Sequence, residues 1–224
     1  MKTTEGAPRR IVISGSSGFI GSALVPHLRG AGHEVIRLVR RASQAPDERC
    51  WNPQTGYIEP GAFEGVDAVI NLGGAAIGGK RWTEAYQQEL RESRTGPTGV
   101  LARAVAEHGV PVMISGSAVA WYGDTGTTAV DETTSRPGSN YLAQLCRDWE
   151  DATGPASAAG ARVVLVCTGV VLAADGDVIK SVRPLFSVGL GAWLGPAVRT
   201  VDHPRRRARG DHPRPGERHD PRPH

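Results

Sequence analysis

Five apolar runs rich in β-branched residues punctuate the chain, at Arg10 to Ser14, Glu34 to Val39, Asp67 to Leu72, Val110 to Ser115 and Arg162 to Val171. Between them lie stretches with helical character: Phe19 to Gly30, Thr83 to Arg94, Gly99 to His108 and Tyr141 to Ala152. Nearly continuous apolar strands alternating with helices are the signature of a parallel sheet covered on both faces. The pattern predicts an α/β fold with a doubly wound parallel sheet. The helical stretch from Thr83 is expected to break near Gly96 and Pro97, because proline removes a backbone donor and disfavours helix in the residue before it.

Composition narrows the classes. The chain has 224 residues, 39% of them apolar, enough for one good core. Residues 1–10 contain no apolar leader, and no run approaches the roughly 18 apolar residues of a membrane helix, so a cytoplasmic protein without a membrane partner is expected. Cys50, Cys146 and Cys167 are scattered and lack the paired spacing of a zinc site or a disulfide framework; reduced thiols and no metal site follow. The net charge of +3 is unevenly placed: residues 199–224 hold eight arginines against four acidic residues, leaving −1 for the rest.

The sharpest motif follows the first strand, Ile11-Val-Ile-Ser-Gly15-Ser16-Ser17-Gly18-Phe19-Ile20-Gly21. Gly15 permits the tight turn, Gly18 lets the backbone approach a pyrophosphate, and Gly21 lets helix and strand pack closely. The phosphates then meet the positive end of a helix. These residues, with Leu72, Gly73 and Gly74 after the third strand, are the expected dinucleotide contacts of a Rossmann-type domain. The second strand ends in Arg40 and Arg41, where an NAD-binding domain usually places a carboxylate on the ribose about 20 residues past the glycines. Guanidinium groups suit a 2′-phosphate by charge and by fork geometry, so NADP is favoured, with NAD the alternative.

The glycine spacing, Asn71-Leu-Gly-Gly74 and Ser115-Gly-Ser-Ala-Val-Ala-Trp-Tyr-Gly123 resemble an extended short-chain dehydrogenase/reductase. Trp51-Asn-Pro53 with Gly56, Arg81-Trp-Thr83, Glu92-Ser-Arg94 and Cys146-Arg-Asp-Trp-Glu150 resemble, more narrowly, its atypical NAD-dependent epimerase/dehydratase-like branch. The resemblance runs to about Pro196. It implies a small carbonyl or alcohol substrate, sugar-like ones included, with Ser117 standing where the superfamily has its catalytic serine. The superfamily's tyrosine with a lysine four residues on is absent: Tyr57, Tyr86, Tyr122 and Tyr141 are followed at that position by Gly61, Leu90, Gly126 and Leu145. Ser117 and Tyr122, at a strand's carboxyl end, are therefore the candidate catalytic pair. Cys146 and Glu150, four apart on one helix face in the region of the missing pair, are alternative substitutes; the plainer reading is a buried thiol and a solvated or N–H-bonding carboxylate. Cys167 stands where the resemblance would put an arginine.

The resemblance also implies that the substrate-covering part after Pro196 is incomplete. Residues 1–198 are expected to form the dinucleotide-binding domain with the start of the substrate part. Residues 199–224 read as a disordered Arg/Pro/His-rich tail, since from Asp202 onward only Ala208 is aliphatic or aromatic. Shifting the frame by one nucleotide permits Trp-Ile-Thr-Leu-Asp-Asp-Glu there, closer to the family, so a frameshift is expected. Three functions stay open: an NADP-dependent oxidoreductase or epimerase, a dinucleotide-binding protein without turnover, and a polyanion binder acting through the tail. Nucleic acid is not the favoured partner, because the tail lacks interleaved aromatics and lysines. A homodimer rests on analogy with the superfamily alone.

Overall fold

The computed structural model describes residues 7–133 and 136–171, with short pieces at 183–184, 186–187 and 201–202. Seven strands form one sheet: β1 (Arg10–Ser14), β2 (Glu34–Val39), β3 (Glu48–Asn52), β4 (Tyr57–Ile58), β5 (Ala68–Asn71), β6 (Val112–Ala118) and β7 (Arg162–Thr168). Their order is β4-β3-β2-β1-β5-β6-β7, parallel except for the β3–β4 hairpin. The chain steps outward from β1 to β3 and then crosses back to place β5 on the other side of β1. That reversal opens a crevice at the carboxyl ends of β1 and β5, where open α/β sheets bind ligands. A further pair, β8 (Val170–Val171) and β9 (Val201–Asp202), is parallel and separate.

The two-residue period of a strand sorts the apolar side chains into two cores. Ile11, Ile13, Val35, Ala68 and Ile70 face α1 (Phe19–Gly30) and meet Val25, Leu24 and Leu28. Val12, Ile36, Leu38, Val69 and Met113 face the opposite way, onto Val100, Leu101 and Val105 of α2 (Glu84–His108) and Ala156 of α4 (Gly154–Ala158). The doubly wound parallel sheet with helices on both faces is thus present, and α3 (Tyr141–Asp151) packs on α2 beside β6.

Several boundaries differ from expectation. Helix α2 runs unbroken through Pro97. Proline removes one hydrogen bond, a local cost of about 3 kcal/mol, and contacts outside the helix hold both sides of it. Ser93 Oγ accepts from the Ala75 N–H, Arg94 donates to the Ala75 carbonyl, and Thr98 is locked into a buried network. The run Arg162 to Val171 is two strands separated at Gly169, and the β6 strand extends past Ser115 to Ala118. The hairpin β3–β4 was unforeseen because Glu48-Arg-Cys-Trp-Asn52 does not look like a strand. Its Glu48 is nonetheless buried, neutralised by Arg41 and Arg37. Among the described residues no helix is long and apolar enough to cross a membrane, and no group of three or more His, Cys, Asp or Glu is placed to hold a metal. The Arg-rich tail, the shifted frame and the incomplete substrate part fall outside the described residues, apart from the β8–β9 pair.

Candidate functional site

Strand β1 delivers the chain into the Gly15–Gly21 turn, and the packing there shows why glycine is required. Gly15 has φ of 73°, and a Cβ on it would lie 2.7 Å from the Leu72 carbonyl carbon. At Gly21 a Cβ would lie 2.2 Å from the Gly15 carbonyl oxygen, so helix α1 can start against the turn only without a side chain. Gly18 caps α1 with no side-chain hydrogen bond and no acidic residue in the first turn. The first N–H groups of the helix and the positive end of its dipole are left for an anion.

The turn forms one wall of a cleft of about 270 Å³. Gly15, Gly18, Phe19, Ile20 and Gly21 come from it; Leu72 and Gly74 come from the end of β5, Gly116 and Ser117 from β6, Trp149 from α3, Thr168 from β7, and Val171 from β8. Seven of the expected dinucleotide residues, Gly15, Gly18, Phe19, Ile20, Gly21, Leu72 and Gly74, are therefore brought together with Ser117, and Arg40 and Arg41 are not among the lining. Ser16, Ser17 and Gly73 belong to the same two loops without lining the cleft. A similar concavity of about 240 Å³ between the β4 turn and α2, lined by Phe63, Arg103 and His108 among others, includes none of these residues.

Beneath the cleft is a buried polar network that sequence reading missed. Ser14 Oγ donates to Asn71 Oδ1 at 2.7 Å, Asn71 Nδ2 donates to Thr98 Oγ1 at 2.7 Å, and the Trp149 indole N–H donates to the same Thr98 oxygen at 2.9 Å. All but Trp149 are wholly buried. The network ties the ends of β1 and β5 to α2 and α3. The signal was there in polar residues, Ser14 and Asn71, closing the apolar runs of β1 and β5.

The two arginines after β2 part company. Arg41 makes a two-pronged pair with Glu48, with both N–O distances 2.7 Å. Arg40 is exposed and makes no ion pair among the described residues. Asp47 and Glu48 complete a charged cluster with Arg29 and Arg37. The Arg37 hydrogen bond, with Arg29 behind it, holds Asp47 at about 2; Arg41 and the Gln44 N–H hold Glu48 at about 2.

Ser117 and Tyr122 end in different surroundings. Ser117 is 1% exposed, and its hydroxyl donates to Glu150 Oε1 on α3. The Glu150 carboxyl is the N–H-bonding group of the two expected alternatives, not the solvated one: it is half-buried, and burial raises its pKa, partly opposed by Ser117 and the Trp121 indole N–H. Cys146, one turn earlier, is buried as expected, and burial pushes its thiol up to about 11. Tyr122 sits in the 3-10 turn Val119–Tyr122, donates its hydroxyl to the Asp131 carbonyl at 3.0 Å and is absent from the cleft wall. Burial raises its pKa, so it is a poor base. Lys80 is bound to Glu89, and Lys2 and Lys180 fall outside the described residues.

Residues 11–165 match the model of the NAD dependent epimerase/dehydratase family. The chain belongs to that family. It is 54% identical over 185 residues to an epimerase family protein of Mycobacterium bovis, covering 83% of this chain and 61% of that protein. It therefore spans about three fifths of that relative. Among solved structures, it is similar to a nucleoside-diphosphate sugar epimerase from Corynebacterium glutamicum, with TM-score 0.78, 36% identity, and coverage of 91% of this chain and 43% of that one. The human epimerase family protein SDR39U1, solved with NADPH, gives TM-score 0.75 and 30% identity over 89% of this chain and 67% of that one.

Proposed function

We propose that the chain binds NADP(H) in this cleft and takes part in hydride transfer to or from a small carbonyl or alcohol substrate, an oxidoreductase or epimerase activity with a nucleotide sugar as the first substrate class to try. The observation that carries the reading is the cleft itself. It sets an uncapped helix N-terminus and a glycine-rich turn on the same cleft as Ser117, at the switch point of the sheet. The close packing of Gly15 and Gly21 fits a dinucleotide, because the backbone there is bare and no side chain caps the start of α1 where a pyrophosphate would sit.

Gly15, Gly18, Phe19, Ile20 and Gly21 would cradle the pyrophosphate, with Ser16 and Ser17 in the same turn. Leu72, Gly73 and Gly74 would flank the other side, and Arg40 would meet a 2′-phosphate. The dinucleotide, when bound, supplies a hydride donor or acceptor. Ser117 orients the reacting oxygen. Binding of NADPH by the human relative supports NADP over NAD, and the sugar epimerase from C. glutamicum supports the substrate class.

A second reading, dinucleotide binding without turnover, is favoured by one observation: the Tyr122 hydroxyl is engaged by Asp131 away from the cleft wall. The polyanion reading rests on residues outside those described. Fluorescence titration of the folded chain with NADPH and with NADH tests the proposal. Saturable binding that prefers NADPH is expected, and no binding of either nucleotide by a folded chain would overturn it. Hydride transfer across a panel of nucleotide sugars then separates the first reading from the second.

A further inference from the structure

Among the described residues the cleft has no tyrosine backed by lysine, yet Ser117 is not alone. Its hydroxyl donates to Glu150 Oε1, while Ser117 itself lines the cleft. Helix α3 is fixed so that Glu150 faces β6: the Asn140 side chain caps its start, Arg91 of α2 pairs with Asp148 at 2.8 Å, and Trp149 packs where a Gly116 Cβ would be, 3.0 Å from its ring. We propose that Glu150 is the proton acceptor and donor behind Ser117, the serine passing protons between a substrate oxygen and this carboxyl. The inference rests on the reading that the cleft holds a nicotinamide dinucleotide.

The surroundings suit that role. From β6 Glu150 meets the Ser117 hydroxyl; from the 3-10 turn, the Trp121 indole N–H and the Tyr122 phenol; from its own helix, Cys146 and Asp151. Cys167 of β7 and Arg94 of α2 act on Cys146. Among the described residues no cation is paired with Glu150, and burial favours its neutral form. A carboxyl raised in this way moves toward the range where it gives and takes protons near neutral pH. In alcohol oxidation, the carbinol carbon gives its hydride to the oxidised dinucleotide. The alcohol oxygen gives its proton to Ser117 Oγ as the serine's own proton passes to Glu150, leaving a carbonyl, a reduced dinucleotide and a neutral carboxyl. Carbonyl reduction reverses each transfer.

The test labels glutamate side-chain carboxyls with carbon-13 and follows the Glu150 signal by NMR against pH, in the free protein and in its NADP+ and NADPH complexes. Loss of the signal in Glu150→Gln, or in Glu150→Asp should that variant not fold, assigns it. The midpoint in the free protein is expected above that of an ordinary glutamate. In Ser117→Ala it should rise further, because the hydroxyl stabilises the charged carboxylate. The NADP+ complex should titrate about one pH unit lower than the NADPH complex, since the oxidised nicotinamide carries a positive charge that favours the carboxylate. Equal midpoints in the two complexes, or a midpoint that Ser117→Ala leaves in place, would overturn the proposal while the cofactor reading stands. Failure of either nucleotide to bind the folded protein removes the cofactor reading instead, and the proposal with it.

Discussion

A single methyl group is the smallest perturbation the glycine turn can meet. Gly21→Ala would bring a Cβ to 2.2 Å from a backbone oxygen, which cannot rotate away as a side chain would. Either α1 shifts or the turn opens. The expected cost is about 1–3 kcal/mol of stability and a loss of roughly tenfold or more in NADPH affinity, equivalent to about 1.4 kcal/mol. Calorimetric melting and a fluorescence titration read the two, and an unchanged affinity would show that the turn does not hold the dinucleotide. The arginines give a sharper contrast. Arg40→Ala should lower NADPH affinity by about 10- to 100-fold, as expected for losing a charge-assisted hydrogen bond worth roughly 1.5–3 kcal/mol, while leaving NADH affinity in place. Arg41→Ala should change the preference far less, since that guanidinium is already bound to Glu48. The reverse result would exchange their roles. At this scale the glycines were legible because turn sterics are local, as was the pair of arginines. Which of the two is held in an ion pair depends on Glu48, a carboxylate in a strand that the sequence pattern hid.

At the scale of elements, β3 is held on the sheet by charge as well as by its ladder to β2. Asp47 and Glu48 are each held at about 2, against about 4 for such carboxylates in an unfolded chain. A depressed folded-state pKa adds stability that is fully present above the unfolded value and is lost as pH falls toward the folded one. The urea midpoint should thus stay level at neutral pH and decline from about pH 4 toward 2. Asp47→Asn should flatten part of that decline, and an unaltered acid limb would show that the cluster contributes nothing to stability. Sequence periodicity found β1, β2, β5, β6 and β7 because each is apolar. It misjudged β3 and the path of α2 through Pro97 for one shared reason: both are stabilised by partners outside the element itself. Arg37 and Arg41 neutralise β3, and the loop after β5 together with the Thr98 network fixes α2. Likewise Cys146 and Glu150 could be placed on one helix face from spacing, but only the angle at which α3 crosses β6 decides that the carboxyl meets Ser117.

For the molecule as a whole, the Asn71–Thr98–Trp149 network joins the sheet to two helices directly under the cleft, so stability and binding should be coupled through it. Thr98→Val keeps the shape of the side chain and removes the oxygen that accepts from both Asn71 Nδ2 and the Trp149 indole. Two buried donors lose a partner, and each unsatisfied donor costs about 1–3 kcal/mol. Trp149 lines the cleft and packs on Gly116 next to Ser117, so its displacement reaches the site as well as the core. The variant should melt roughly 4–24 °C lower, at about 2–4 °C per kcal/mol for a chain of this size. It should also bind NADPH more weakly than the parent. A ligand that binds only the native form stabilises it by about 2.7 kcal/mol at one hundred times its Kd. The gain in melting temperature at a fixed NADPH concentration should therefore be smaller in Thr98→Val than in the parent chain. Equal gains in the two proteins would place the network in the core alone and uncouple it from the cleft.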